Sequence, residues 1–103
     1  MGGPVNVRLR APTKFGGLLA WAALTREMAH EFGGRGVRAN AIAPGQIETS
    51  ILSPGTNELV ASEVPMARLG APREVAETIY FLCAEASSYI NGSEIHINGG
   101  QHV

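Results

Sequence analysis

The sequence predicts an α/β fold on three observations. Apolar residues recur with helical period over residues 18–32, and a nearly continuous apolar run over 37–43 then stops at Pro44-Gly45. A second helical pattern over 72–83 leads to a short alternating segment over 94–98, so the order is helix, strand, flap, helix, strand. Parallel strands joined by a crossover are the simplest arrangement of that order, and open α/β sheets carry their ligand loops at the ends of such strands.

A chain of 103 residues can bury one modest core. Hydrophobic residues at 45% predict a packed globule, while charged residues at only 17% point to a face meant to be covered by more protein. The net charge of -1, with arginines scattered from Arg8 to Arg73, supplies no field for nucleic acid or an acidic membrane, so neither is expected as a partner. A single cysteine, Cys83, excludes an internal disulfide; its helical setting reads as a buried small hydrophobe, and a cytoplasmic location follows. No apolar stretch is long enough to span a bilayer, and the opening Met-Gly-Gly-Pro lacks the plan of a signal peptide. Myristoylation at Gly2 is not expected, since Asn6 stands where that signal needs Ser or Thr.

Residues 1–17 hold Gly2, Gly3, Pro4, Pro12, Gly16 and Gly17 around a brief alternation from Val5 to Arg10, which reads as irregular chain more than as a strand. In the first helix Leu18, Trp21, Leu24 or Thr25, Met28 and Phe32 share one side, with Arg26, Glu27, His30 and Glu31 largely on the other. Gly33-Gly34 ends it. The strand over 37–43 reads as covered on both faces. Arg38 is expected to carry its charge past the strand's beginning, laying its methylenes on apolar surface. Pro44 must close the strand, and Gly45 lets the backbone turn or approach a ligand closely.

Residues 46–65 mix Ser50, Ser53, Pro54, Gly55, Thr56, Asn57 and Ser62 with Ile51, Leu52, Leu59 and Val60, which reads as a long flap with one or two helical turns. The second helix starts at Pro72, pinned by the proline and by packing more than by a capping box, since Ala71 is a poor N-cap. Val75, Ala76, Ile79, Leu82 and Cys83 form its apolar side, and Tyr80 and Phe81 widen the buried surface, which suggests coverage by a sheet or another subunit. The last strand, with His96 toward a layer of packing, closes at Gly99-Gly100.

Chemistry is thin. A glycine triad straight after a strand would announce a dinucleotide cradle, but Gly33-Gly34-Arg35-Gly36 follows a helix and precedes a strand, so it makes a turn. His30 reads as a surface residue, and His30, His96 and His102 have no spacing that suits zinc, so no metal site is expected. Ser50 and Ser53 have no base that the sequence nominates, and aspartate is absent altogether, so no catalytic residue is assigned. The best site is the 44–49 loop, where the Thr49 hydroxyl and the Ile47 backbone offer hydrogen bonds to a polar ligand group. A loop at a strand end can equally serve only to turn the chain.

The string Leu-Thr-Arg-Glu-Met-Ala-His-Glu from Leu24, then Gly-Val-Arg-Ala-Asn-Ala-Ile-Ala-Pro-Gly from Gly36 with Thr49, resembles the C-terminal part of classical short-chain dehydrogenases/reductases. Arg-Leu-Gly-Ala-Pro-Arg-Glu-Val-Ala from Arg68 and Asn-Gly-Ser-Glu-Ile-His-Ile-Asn-Gly-Gly from Asn91 complete the resemblance. It implies a truncated Rossmann-like fold, the C-terminal portion of a doubly wound parallel sheet, over residues 18–103, with residues 1–17 a divergent segment. It also implies that Pro44, Gly45, Ile47 and Thr49 touch the nicotinamide end of NAD or NADP, and that the flap is a substrate lid. The family's proton-transfer pair is Tyr-x-x-x-Lys; aligned on that spacing, Lys14 takes the tyrosine position and Leu18 the lysine position, so both roles are vacant. The catalytic serine and the adenine-side glycine motif are expected upstream of this chain. The resemblance thus leads to the expectation of a truncated chain, inactive alone. Rivals are an active subunit completed by another chain, in a homo- or hetero-oligomer with related chains, and a small non-catalytic binding or scaffold protein.

Overall fold

The computed structural model describes residues 5–7, 15–50 and 54–101, with side chains described from Trp21 onward. Lys14, His102, Ile51, Leu52, Ser53 and the Leu18 side chain, all weighed above, lie outside that description. The elements are β1 (Val5–Val7), α1 (Phe15–Gly33), β2 (Ala39–Pro44), α2 (Thr56–Glu63), α3 (Pro72–Cys83), a single 3-10 turn at Glu85–Ser87, and β3 (Glu94–Ile97). The strands make one parallel sheet in the order β1-β2-β3. The α/β class and the sequence of helix, strand, flap helix, helix and strand are therefore as expected.

The first strand corrects the reading of residues 5–7 as irregular, while 8–10 lie outside the described residues. Val5 sits opposite Ala39, Asn6 opposite Asn40 and Val7 opposite Ala41, so β1, α1 and β2 form a complete parallel unit. Three residues carry too little alternation to be told from loop; a short strand is defined by the neighbour it pairs with. Helix α1 also begins earlier than its apolar period indicates, at Phe15, and runs through Gly16-Gly17. Its sheet-facing side holds Thr25 and Ala29, 1% and 8% exposed, while Leu24 is 47% exposed. The Thr25 hydroxyl is satisfied within the helix, donating to the Trp21 carbonyl at 2.9 Å.

Strand β2 is buried on both faces, as its apolar run predicts: Ala39, Asn40, Ala41 and Ile42 are all under 5% exposed. On one face Ile42 packs with Val75 and Leu82 of α3, joined by Ile79, Ile90, Ile95 and Ile97. Ala39 and Ala41 alternate with Ile42 and so face the other way, where small side chains admit α1. Pro44 is the last residue of β2 and lies beyond Val7, the end of β1. Ala41 and, just past the strand, Gly45 donate toward β3, so the hydrogen that Pro44 lacks is none of the β2–β3 ladder bonds.

Arg38 corrects a second expectation. Its guanidinium turns inward and donates to the carbonyls of Leu82 at 2.9 Å, Ala84 at 3.4 Å and Ile90 at 3.0 Å. The last carbonyls of a helix have no intrahelical donor, and a cation there also opposes the negative end of the macrodipole. The charge is thus spent on the end of α3 and not extended to solvent.

Further corrections concern what α3 and β3 bury. Cys83 is exposed, not buried, because one residue beyond Leu82 the helix has turned away from the sheet. Tyr80 and Phe81 likewise stand 78% and 43% exposed, so they widen no buried surface within this chain. His96 alternates with the core residues Ile95 and Ile97, so it faces away from that core, with Nε2 3.0 Å from Glu94 Oε1. At the start of α3, Ala71 has no side-chain acceptor, but the Glu74 carboxylate accepts the Ala71 N–H at 2.9 Å. The returning half of a capping box is therefore present, which the expectation of a start pinned by proline and packing missed.

Candidate functional site

The four residues singled out in the sequence, Pro44, Gly45, Ile47 and Thr49, leave the carboxyl end of β2 as one short loop. Its position follows from the two strands beside it. Gly45 N–H donates to Ile97 O at 3.0 Å, extending the ladder one residue past the strand. A Cβ on Gly45 would stand 2.7 Å from Asn98 Cβ and 3.0 Å from Asn98 Cα, so only glycine lets the two strand ends run this close.

Beyond Gly45 the loop is held by Gly70. Gly70 N–H donates to Gln46 O at 2.9 Å, and Glu48 N–H donates to Gly70 O at 2.8 Å, an isolated parallel bridge centred on Ile47. In that pattern Gly70 uses both its backbone groups, whereas the amide and carbonyl of Ile47 point to the opposite edge. The Ile47 side chain packs against the core cluster, which fixes the rotation of its peptide units. One donor and one acceptor on the same residue are thereby presented side by side, the arrangement that suits a planar carboxamide. Thr49 follows on the exposed part of the loop and has an interaction of its own.

The segment carrying Gly70 is organised by charge. Arg68 donates to both carboxylate oxygens of Glu74, at 2.8 and 3.0 Å. The Arg68 guanidinium first, and the Ala71 N–H second, hold the Glu74 carboxyl down to about 2. Arg68 is raised in turn by its bonds to Glu74. A cleft of about 280 Å³ lies behind the loop, lined by Gln46, Gly70, Arg68, Glu74 and the turn after β3. Among the described residues no group of three His, Cys, Asp or Glu side chains could hold a metal ion, and no helix is long and apolar enough to cross a membrane.

Sequence reasoning did not assign Gly70, Asn98, Arg68 or Glu74 to the site. The Arg68–Ala76 block reads in the sequence as the start of the second helix and as part of the resemblance, with no role in the site; the signal available was a glycine two residues after an arginine and four before a glutamate at a helix start.

Residues 19–102 match the family model described as enoyl-(acyl carrier protein) reductase. The chain belongs to the short-chain dehydrogenase/reductase family. Protein FixR of Bradyrhizobium diazoefficiens is 52% identical over 84 residues, covering 82% of this chain and 30% of FixR. The 3-oxoacyl-[acyl-carrier-protein] reductase FabG of Aquifex aeolicus is 44% identical over 79 residues, covering 74% of this chain and 32% of that reductase. Among solved structures, a 7α-hydroxysteroid dehydrogenase complexed with NADH and 7-oxo glycochenodeoxycholic acid superposes with a TM-score of 0.78 at 29% identity, covering 96% of this chain and 45% of the dehydrogenase. This short-chain dehydrogenase/reductase chain thus spans about a third of the length of the curated relatives it matches. Its family is one of oxidoreductases, and solved members carry nicotinamide nucleotides.

Proposed function

We propose that these 103 residues carry the nicotinamide-side edge of a short-chain dehydrogenase/reductase, and that by themselves they bind weakly and transfer no hydride. Pro44 and Gly45 bring the backbone against the nicotinamide end of NAD or NADP, Ile47 offers its amide and carbonyl to the carboxamide, and Thr49 offers its hydroxyl. The observation that carries the reading is the backbone edge of Ile47, which faces away from Gly70 because Gly70 bonds its two neighbours, and which has no hydrogen-bond partner among the described residues. The nucleotide, when bound, supplies the hydride; the chain's part is to orient the ring.

Reduction of a carbonyl also needs a proton donor, and such groups typically contribute about 10²- to 10⁴-fold in rate. Lys14 and Leu18 occupy the positions where the family places its tyrosine and lysine, which supports inactivity of the isolated chain. The test is a titration of the purified chain with NADH or NADPH, followed by its amide NMR spectrum. Shifts at Ile47 and Thr49 with none at Gly34 are expected; an unperturbed loop at millimolar nucleotide overturns the binding assignment. Oxidation of NADPH by a ketone above a no-protein control, abolished by substitution in the 44–49 loop, overturns the inactivity.

A second reading favours a self-standing, non-catalytic module, because β1 pairs along β2 and covers the edge that would otherwise invite association. On it residues 1–17 are no divergent appendage, since part of them folds into the same sheet as residues 18–103. Slow hydrogen exchange across Ala39–Pro44 in a monomer supports it. Assembly with related chains, as homo- or hetero-oligomers in the cytoplasm, is supported instead by the exposure of Tyr80, Phe81 and Tyr89. Coexpression with an intact relative and mass measurement of the complex separates the two.

A further inference from the structure

We infer that Arg68 and Glu74 are positioning residues for the 44–49 loop, a clamp that holds Gly70 in place so that Ile47 keeps its backbone edge open. The inference rests on the reading of that edge as a nicotinamide contact, but its structural half can be tested apart from it.

Beyond Gly45, among the described residues, the backbone of the loop is anchored by Gly70. Gly70 has no side chain with which to fix itself, and a Cβ there would stand 2.8 Å from Ile47 Cδ1, so adding one would push the Ile47 side chain aside. Its placement is therefore set from both sides. Arg68, two residues before, donates one nitrogen to Glu74 Oε1 at 2.8 Å and to Leu69 O at 3.1 Å, and the other to Glu74 Oε2 at 3.0 Å. Glu74 Oε1 also accepts the N–H of Ala71, the residue after Gly70, at 2.9 Å. One carboxylate thus ties together the residues flanking Gly70 on either side. Glu74 sits in the first turn of α3, whose rigid body is seated on the core through Val75 and Leu82. The chain of contacts runs from the core to α3, to Glu74, to the Gly70 backbone and to the Ile47 peptide units.

With side chains 50% and 42% exposed, the pair adds little to global stability. A planar, two-toothed arginine–carboxylate contact contributes geometry, which an ammonium group cannot reproduce. Loosening it should leave the fold standing and free the loop.

The experiment is amide hydrogen exchange of the whole chain, comparing the wild type with Arg68→Lys and Glu74→Gln. Exchange at Glu48 and Gly70 is expected to quicken at least roughly tenfold in both variants, while Ala41 and Gly45 hold their rates, because local opening is separable from global unfolding. Arg68→Lys is the conservative variant and keeps the charge, so a selective change there reports lost fork geometry. Unchanged rates at Glu48 and Gly70, or a parallel rise at all four amides, overturns the clamp. NADH titration of the same samples judges the nicotinamide reading separately: a wild-type chain that shows selective exchange effects but no nucleotide shifts keeps the clamp and loses the ligand assignment.

Discussion

The buried Asn40 side chain holds Ser93 by its carbonyl oxygen, which accepts the Ser93 N–H at 2.9 Å, while its Nδ2 donates to Ile90 O at 3.0 Å. Asn40 is 1% exposed, so β2 carries in its interior the template on which the approach to β3 is shaped. Asn91 answers from the other side, accepting Ala39 N–H at 3.0 Å and donating to Ala29 O at 3.2 Å. These bonds set the register that brings Ile97 beside Pro44 and hence Asn98 against Gly45.

Asn40→Ala is expected to destabilise the chain by about 1–3 kcal/mol, since it leaves the Ser93 N–H without its acceptor, while Ile90 O keeps the Arg38 guanidinium. Urea unfolding measures it. A loss under about 0.5 kcal/mol, the range of ordinary surface changes, contradicts the role given to the side chain.

Removing the guanidinium of Arg38 exposes the same end of the sheet to a different loss. Arg38→Ala takes the guanidinium from the Leu82 carbonyl and leaves Ile90 O with Asn40 Nδ2 alone, and should cost about 1–3 kcal/mol. Arg38→Lys recovers only part, because one ammonium cannot span both carbonyls. Equal thermal midpoints for the alanine and lysine variants would refute the bridging role.

Glycine positions separate contact from conformation. Gly45→Ala drives a methyl into Asn98 and should cost about 1–3 kcal/mol, with amide shifts spreading to Ile47 and Glu48. Gly34→Ala meets nothing within 4 Å, so it should be neutral or stabilise by about 0.4–1 kcal/mol through the unfolded chain. Matching losses at the two sites would show that close approach at Gly45 is not the constraint.

A small part of the stability, reduced by the exposure of the pair to solvent, should depend on pH through Glu74. Its carboxyl is held at about 2 in the fold, below its ordinary 4.5, by Arg68 and the Ala71 N–H. A depressed carboxyl stabilises the fold above the unfolded value and loses that contribution as pH falls toward the folded one, so the window is between about 4.5 and about 2. Glu74→Gln should flatten the wild-type decline across that window; identical slopes in urea melts would exclude Glu74 as its source.

The element types were legible because they rest on near neighbours in the chain. Phe32 and Gly33-Gly34 mark the end of α1, Pro72 the start of α3, and Pro44 the end of β2, each by its own backbone chemistry. The same residues located the loop. Arg38 and Asn40 looked like interruptions of an apolar strand, and nothing local shows that their polar atoms meet carbonyls and an amide of the segment from Leu82 to Ser93. Cys83 and Tyr80 were misread for a related reason: an apolar side chain on a helix says which stripe is greasy, but the sheet decides how much of it is covered.

From the sequence alone came the α/β class, the order of its later helices and strands, and the 44–49 loop as the place to look for a ligand, since periodicity and turn chemistry belong to adjacent residues. The tertiary structure decided that β1 joins the sheet, that Gly70 and not a neighbour in sequence secures the loop, and which way the Ile47 amide and carbonyl face. Those are pairings between distant segments, formed only when the burial of Ile42, Val75 and Leu82 brings the segments together, so no local pattern encodes them.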